Sequence, residues 1–169
     1  MTGVIEQLLA TPTGIAGTLV MGLLMAEAAG LCVWAERHRR AALRLQRLLG
    51  RPDMLSDDAE HRSIRDQARR YLAHDLRRTI SALEMAEDLN PKAGMFFTFA
   101  SVGLLLPSFV EVMMTDPFNA LAPVAPAIWT SVAGLGTAFV ANVQLRRVHD
   151  EAVALDLALE DPRWRRVTE

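Results

Sequence analysis

The sequence predicts an all-α, polytopic membrane protein with three transmembrane helices and helical cytoplasmic extensions. Three observations carry that expectation. First, the 18 Lys and Arg of this 169-residue chain lie only within residues 37–92 and 146–166. A soluble helical protein spreads its cations, because every helix needs a wet face, whereas alternating basic and apolar blocks are the pattern of membrane chains. Second, the runs 13–35, 93–114 and 122–145 reach the ~20 apolar residues a bilayer requires, with Glu27 and Glu111 as their only charges. Third, the basic block between the first two runs repeats its apolar residues at helical spacing. Bulk composition hides this order: 51% hydrophobic and 22% charged residues, net charge −2, would also suit a soluble domain.

The N-terminal segment and first span form a unit over residues 1–35. "MTGVIEQLL" has an acid where a secretory signal has cations, so the segment is expected to be retained. The lone cysteine, Cys32, excludes an intrachain disulfide and reads as a small packing residue. The first helix continues through "AERHRRAALRLQRLL" to Gly50-Arg51-Pro52. Asp57-x-x-Glu60 has capping-box spacing and opens the next helix. In it Ile64, Ala68, Tyr71, Leu72, Leu76, Ile80, Leu83 and Leu89 recur every three or four residues. That helix should run about eight turns and close at Asn90-Pro91. Residues 36–92 are therefore a helical stem, packing on Leu45, Leu48 and Leu49 or on a neighbouring subunit.

Residues 93–145 read as a hairpin of two spans joined by "TDPFNAL", whose Asp-Pro and Asn supply turn chemistry. Pro107 removes one backbone bond from the second span. Pro123 and Pro126 stand in the first turns of the third, where proline costs little. Residues 146–169 form a further helical tail ending near Asp161-Pro162. Cytoplasmic flanks are rich in Lys and Arg. Both basic blocks therefore belong inside, and the N-terminus and "TDPFNAL" outside, in the inner (plasma) membrane. Trp34 and Trp164, beside arginines, read as interfacial anchors.

Glu27 admits two readings: an intramembrane acid with a function, or a protonated or locally packed residue that orients its helix. Glu111, near the outer end of the second span, reads as interfacial. Thr98, Ser101, Ser108 and Thr115 share one side of the second span. Thr130, Ser131, Gly134, Thr137, Ala138 and Ala141 share one side of the third, with Asn142 and Gln144 at its inner end. Close helix packing uses small residues in this way. Alternatively, such hydroxyl stripes line a shared passage for water and protons. Arg39, Arg40, Arg44 and Arg47 touch anionic lipid or form a solvated stem.

No nucleophile elbow, P-loop, H-E-x-x-H or paired-cysteine motif is present, so neither an enzyme, a metal site nor a cofactor is expected. His38, His61, His74 and His149 are scattered over charged helices and read as solvent-facing. The arginines are matched by nearby acids without interleaved aromatics, which disfavours nucleic acid.

In plan the chain resembles the MotA/TolQ/ExbB proton-channel family, most closely its three-span ExbB/TolQ branch. "VMGLLMAEAAGLCVWAERHRRAALRLQRLL" is similar to that family's first span and arginine-rich exit. "FFTFASVGLLLPSFVEVM" lies on the second-span region A-x-x-x-x-x-x-G-L-L-G-T, with Leu106-Pro107 at the family's Gly-Thr. "ALAPVAPAIWTSVAGLGTAFVANV" resembles the third, with Ser131 at the family threonine, Val140 at its later proline and Pro126 near its acid. The resemblance implies a homo-oligomer, pentameric in that family. Its second and third spans would enclose a pore around a partner's single transmembrane helix bearing an aspartate, as in ExbD, TolR and MotB. Ser108 and Ser131 would line the proton path, with Thr137, Thr130 and Ser101 beside them. The function so implied is an energy-transducing channel or stator subunit; the rivals are a non-conducting membrane scaffold and a holin-like pore former.

Single cysteines placed within residues 37–92 should react with a membrane-impermeant maleimide only after cells are opened. Labelling from outside would reverse the topology.

Overall fold

The computed structural model describes residues 12–50, 58–115 and 125–161, and among these the chain is all-α. Helix α1 spans Pro12–Leu49 and α2 spans Asp58–Arg70. A π-helical turn, Tyr71–Leu76, follows and leads directly into α3, Arg77–Thr115; α4 is Ala125–Glu160. The N-terminal segment before residue 12, Arg51-Pro52, Asp57, the "DPFNAL" of the link, Pro123 and Trp164 lie outside the described residues.

The helix ends follow local chemistry. Proline at the first position of α1 lacks only an N–H that has no partner there. The helix stops at Leu49, where Gly50 still donates to the Gln46 carbonyl at 2.9 Å. α4 stops at Glu160, just before Asp161-Pro162, as a residue preceding proline disfavours further helix. The expected closure at Asn90-Pro91 does not occur: α3 passes through both Pro91 and Pro107. The end of the basic block and the apolar run 93–114 thus share one helix, and packing of the residues after Pro91, described below, outweighs one missing turn bond.

At 1.5 Å per residue, α1, α3 and α4 are each about 55 Å long, nearly twice a hydrocarbon core of ~30 Å. Contacts divide the chain into two units. One, here the apolar unit, comprises Met1–Gly30 and Ala86–Val140; the other, the charged unit, comprises Leu31–Met85 and Ala141–Glu169. Among the described residues every Lys and Arg except Lys92 falls in the charged unit, and Lys92 is neutralised one turn away by Asp88 at 2.5 Å.

In the charged unit the interior is aliphatic. Leu45, Leu49, Leu76, Leu83, Val148 and Leu155 are buried, and arginines occupy the outside. Of the expected contact residues on the stem, Leu48 instead faces outward. The apolar unit is inverted. Most of its buried positions are small or hydroxylated, among them Gly94, Ser101, Ala127, Thr130, Gly134 and Thr137, with Leu24 the one leucine buried there among the described residues. Its outer surface carries Leu23 (70% exposed), Phe96 (75%), Phe99 (74%), Leu104 (74%) and Phe139 (71%). Burying such side chains stabilises by about 1.5–3 kcal/mol each, so five left in water would forfeit as much as a whole domain's net stability. That surface needs an apolar covering.

Among the described residues two helices are long and apolar enough to cross a membrane, those covering Gly14–Leu49 and Ala127–Glu160, with mean hydropathy of 1.8 and 1.2 in their most apolar windows. Only 11% and 28% of those windows is buried, where the central helix of a soluble protein would be mostly covered. The run 93–114 lies in α3, and several of its side chains between 105 and 112 lie outside the described residues.

Buried positions recur at seven-residue intervals. Ala28, Ala35, Ala42 and Leu49 do so in α1; Leu83 and Asn90 in α3; Ala127, Gly134, Ala141, Val148 and Leu155 in α4. This is the repeat of helices that coil gently around neighbours.

Within the apolar unit, α3 and α4 touch backbone to backbone. A Cβ on Gly94 would stand 2.7 Å from the Thr130 carbonyl oxygen, and one on Gly134 would stand 2.5 Å from that of Asn90. Neither obstacle is a side chain that can swing away. At Gly103 and Gly136 a Cβ would meet nothing within 4 Å. Gly134→Ala should therefore lower stability in detergent by about 1–3 kcal/mol, while Gly136→Ala leaves the unfolding midpoint nearly unchanged; equal midpoints would refute the contact.

Candidate functional site

The hydroxyl stripes meet at the same α3–α4 contact. One turn beyond Gly94, Thr98 Oγ1 lies 2.5 Å from the Ala127 carbonyl oxygen, 2.7 Å from Ser131 Oγ and 3.3 Å from Thr130 Oγ1. Thr130 Oγ1 also lies 2.7 Å from the Ala127 oxygen. Protons can be assigned by elimination, because a carbonyl only accepts. Thr130 donates to the Ala127 carbonyl, Thr98 directs its proton to the carbonyls of Ala127 and of Gly94 (3.0 Å), and Ser131 donates to Thr98. Each hydroxyl proton is then used within the chain.

The predicted residues separate into three sets. Thr130 and Ser131 are brought together, joined by Thr98, which the expected pathway did not include. Ser101 (4% exposed) and Thr137 (6%) are buried in the same unit, Thr137 donating to the Gly134 carbonyl at 3.0 Å. Ser108 lies in α3, but its side chain falls outside the described residues. Glu27 and Glu111 are both exposed, and their carboxylates form no hydrogen bond or ion pair among the described residues. Glu27 shares its side of α1 with Leu23 and Gly30, so an acid stands on an otherwise apolar outer face. Asn90 is buried, and its Nδ2 has no hydrogen-bond partner. Leaving such a donor unsatisfied costs about 1–3 kcal/mol.

The charged unit holds a polar cluster that sequence reasoning missed. The expectation of solvent-facing histidines fails for His38. It lies on the inner side of α1, its imidazole edge-on to Trp34 with centroids 5.2 Å apart. The Tyr71 hydroxyl donates to the His38 carbonyl at 3.0 Å and lies 2.7 Å from His38 Nδ1. The phenol has one proton, and the carbonyl claims it, so Nδ1 must itself donate to the phenol oxygen. The pair therefore selects the ring form protonated at Nδ1. His74 and His149 are exposed as expected, and the His61 side chain lies outside the described residues.

Tyr71 is the first residue of the π-helical turn, a widening that recurs at functional positions. Within it the Asp75 carbonyl accepts from the buried Thr79 hydroxyl at 2.8 Å. Burial, then the nearby Asp75 charge, push the Tyr71 phenol up to about 12. Close by in sequence, Glu36 holds Arg39 and Arg40 at 2.9 and 2.8 Å, and Arg39 also reaches Glu151 of α4 at 3.8 Å. The only hint of this cluster in the sequence was spacing: His38 lies seven residues after Leu31 and seven before Leu45.

No protein-family model, curated protein or solved structure matches the chain.

Because Tyr71 is the only tyrosine, phenolate absorbance reports on it alone. Its folded value lies above the unfolded value near 10. The neutral phenol's contribution to stability is therefore complete below pH ~10 and is lost as pH rises through about 12. Titration should show a midpoint near 12 in the folded chain and near 10 after denaturation. Tyr71→Phe should destabilise the charged unit by about 1–3 kcal/mol, the weight of two hydrogen bonds.

Proposed function

We propose that this chain is a multi-pass inner-membrane subunit of a complex that couples proton-motive force to mechanical work, with its N-terminus outside and its C-terminus in the cytoplasm. The observation that carries the membrane reading is the inversion between the two units. Lipid tails are as apolar as leucine, so apolar side chains gain nothing by hiding from them. Helices in lipid associate instead through small residues, close backbones and hydroxyls. The apolar unit has that interior with Leu and Phe outside; the charged unit has a leucine interior with arginines outside, as helices in water require. Three spans, formed by the first part of α1, the latter part of α3 and the first part of α4, follow from that assignment.

The energy-transducing reading rests on the plan shared with the MotA/TolQ/ExbB family. It is supported by an exposed apolar surface that suits association with copies of the same chain and with a partner's aspartate-bearing helix. In that reading Ser108 and Ser131 border the proton path, and Glu27 supplies an acid on the outward face. One observation favours a second reading, a non-conducting scaffold: the protons of Thr98, Thr130 and Ser131 are all taken up within the chain, those of Thr98 and Ser131 in bonds between α3 and α4, which is a packing role.

Copurification in mild detergent with subunit counting, followed by proton-flux measurement in liposomes, separates the two. A channel subunit yields a homo-oligomer with an additional central helix, and Ser108→Ala abolishes flux without changing the oligomer. A scaffold yields no flux from the wild type, and Ser131→Ala lowers only thermal stability.

A further inference from the structure

We infer that a groove in the charged unit binds the phosphodiester headgroup of an anionic phospholipid. The groove has a volume of about 720 Å³, within the roughly 300–1,000 Å³ of small-ligand sites. Its long wall is one side of α1. Arg37, Arg40 and Arg44 line it at intervals of three and four residues, so their guanidinium groups face the same space. Glu36 is the only acid on the wall, and it is already engaged by Arg39 and Arg40. Arg37 and Arg44 form no ion pair among the described residues. Three cations against one occupied carboxylate leave the groove positive, and guanidinium suits phosphate oxygens because its fork of N–H groups can donate two bonds at once.

The opposite end selects lipid over a free phosphate. Cys32 and Val33 line the groove one turn before Arg37, and Val33 is 72% exposed. The groove thus changes from apolar to cationic along α1, where the apolar run 13–35 gives way to arginines. A phosphoglyceride has that same order, with chain methylenes against Cys32 and Val33 and phosphate between Arg37 and Arg44. The α4 side is closed by Gln144, whose Oε1 is buried and has no hydrogen-bond partner. A hydroxylated headgroup such as glycerol supplies the donor it lacks. This inference rests on the membrane reading above, and its test keeps the two separable.

The full-length chain is first located by membrane fractionation, then reconstituted into nanodiscs of phosphatidylcholine with a minor share of phosphatidylglycerol. Lipid retained after detergent extraction is counted by native mass spectrometry. The wild type should retain phosphatidylglycerol in preference to phosphatidylcholine. The double variant Arg37→Gln/Arg44→Gln should weaken retention about thirtyfold, the weight of two cations at an anionic lipid surface. Gln144→Glu, which places a negative charge on the opposite wall, should weaken it as well. Arg69→Gln/Arg78→Gln removes the same charge from exposed positions elsewhere in the unit and should leave retention unchanged. Helicity by circular dichroism confirms that each variant folds. Equal retention of both lipids, an equal loss in the Arg69/Arg78 variant, or displacement of phosphatidylglycerol by millimolar inorganic phosphate or glycerol phosphate overturns the proposal. A membrane-bound chain without lipid preference overturns the groove alone; a water-soluble chain overturns the membrane reading with it.

Discussion

In the apolar unit the backbones of α3 and α4 meet directly, at Gly94 and Gly134. Much of that unit depends on this contact. It places the Asn90 carbonyl against α4. It brings Thr98 within reach of Ala127 and Ser131, and it anchors the stretch of α3 that continues past Pro91. A local rule, that proline ends helices, gives way here to a non-local one, because the residues just after the proline are gripped by another helix. The charged unit is held by a different force. Leu49, Leu76, Leu83 and Leu155 are driven together by water, and no glycine contact of that kind is found there among the described residues.

The hydroxyl cluster shows what packing does to chemistry. Read as letters, Thr98, Thr130 and Ser131 are three protons and three acceptors, a plausible relay. Folded, they form a short hydrogen-bonded cluster ending on the backbone carbonyls of Ala127 and Gly94. Transport along it would first have to break bonds that hold the hairpin together. Among the described residues, groups with unmet capacity lie elsewhere: Asn90 Nδ2, buried without a partner, and the outward carboxylates of Glu27 and Glu111.

The all-helical class, and the long apolar stretches of α1 and α4, were legible because they are written in charge and hydropathy, which need no knowledge of contacts. The helix stops at Gly50 and at Asp161-Pro162 were legible for the same reason, since both follow from chemistry within a few residues. The passage through Pro91 was not, because Thr130 and Gly134, which hold Gly94 in place, lie about forty positions away in the chain. The π-helical turn has no signature in "YLAHDL" beyond ordinary helix formers. His38 was concealed by its neighbours: "AERHRR" reads as a solvated stretch, although the seven-residue spacing around it puts the imidazole on the inner side of α1. The site residues Thr130 and Ser131 were legible as a stripe, but their partner Thr98 emerged only when two helices were laid side by side.

The seven-residue recurrence of buried positions also bears on how such a chain can change length over evolutionary time. Adding one residue to α4 ahead of Arg147 would turn everything beyond it by about 100°, carrying Val148 and Leu155 out of the seam and Arg147 and Glu151 into it. Adding seven would return nearly the same faces to the same neighbours. Insertions and deletions in related chains should therefore come in blocks of seven within the helices, leaving the connecting segments free to vary one residue at a time.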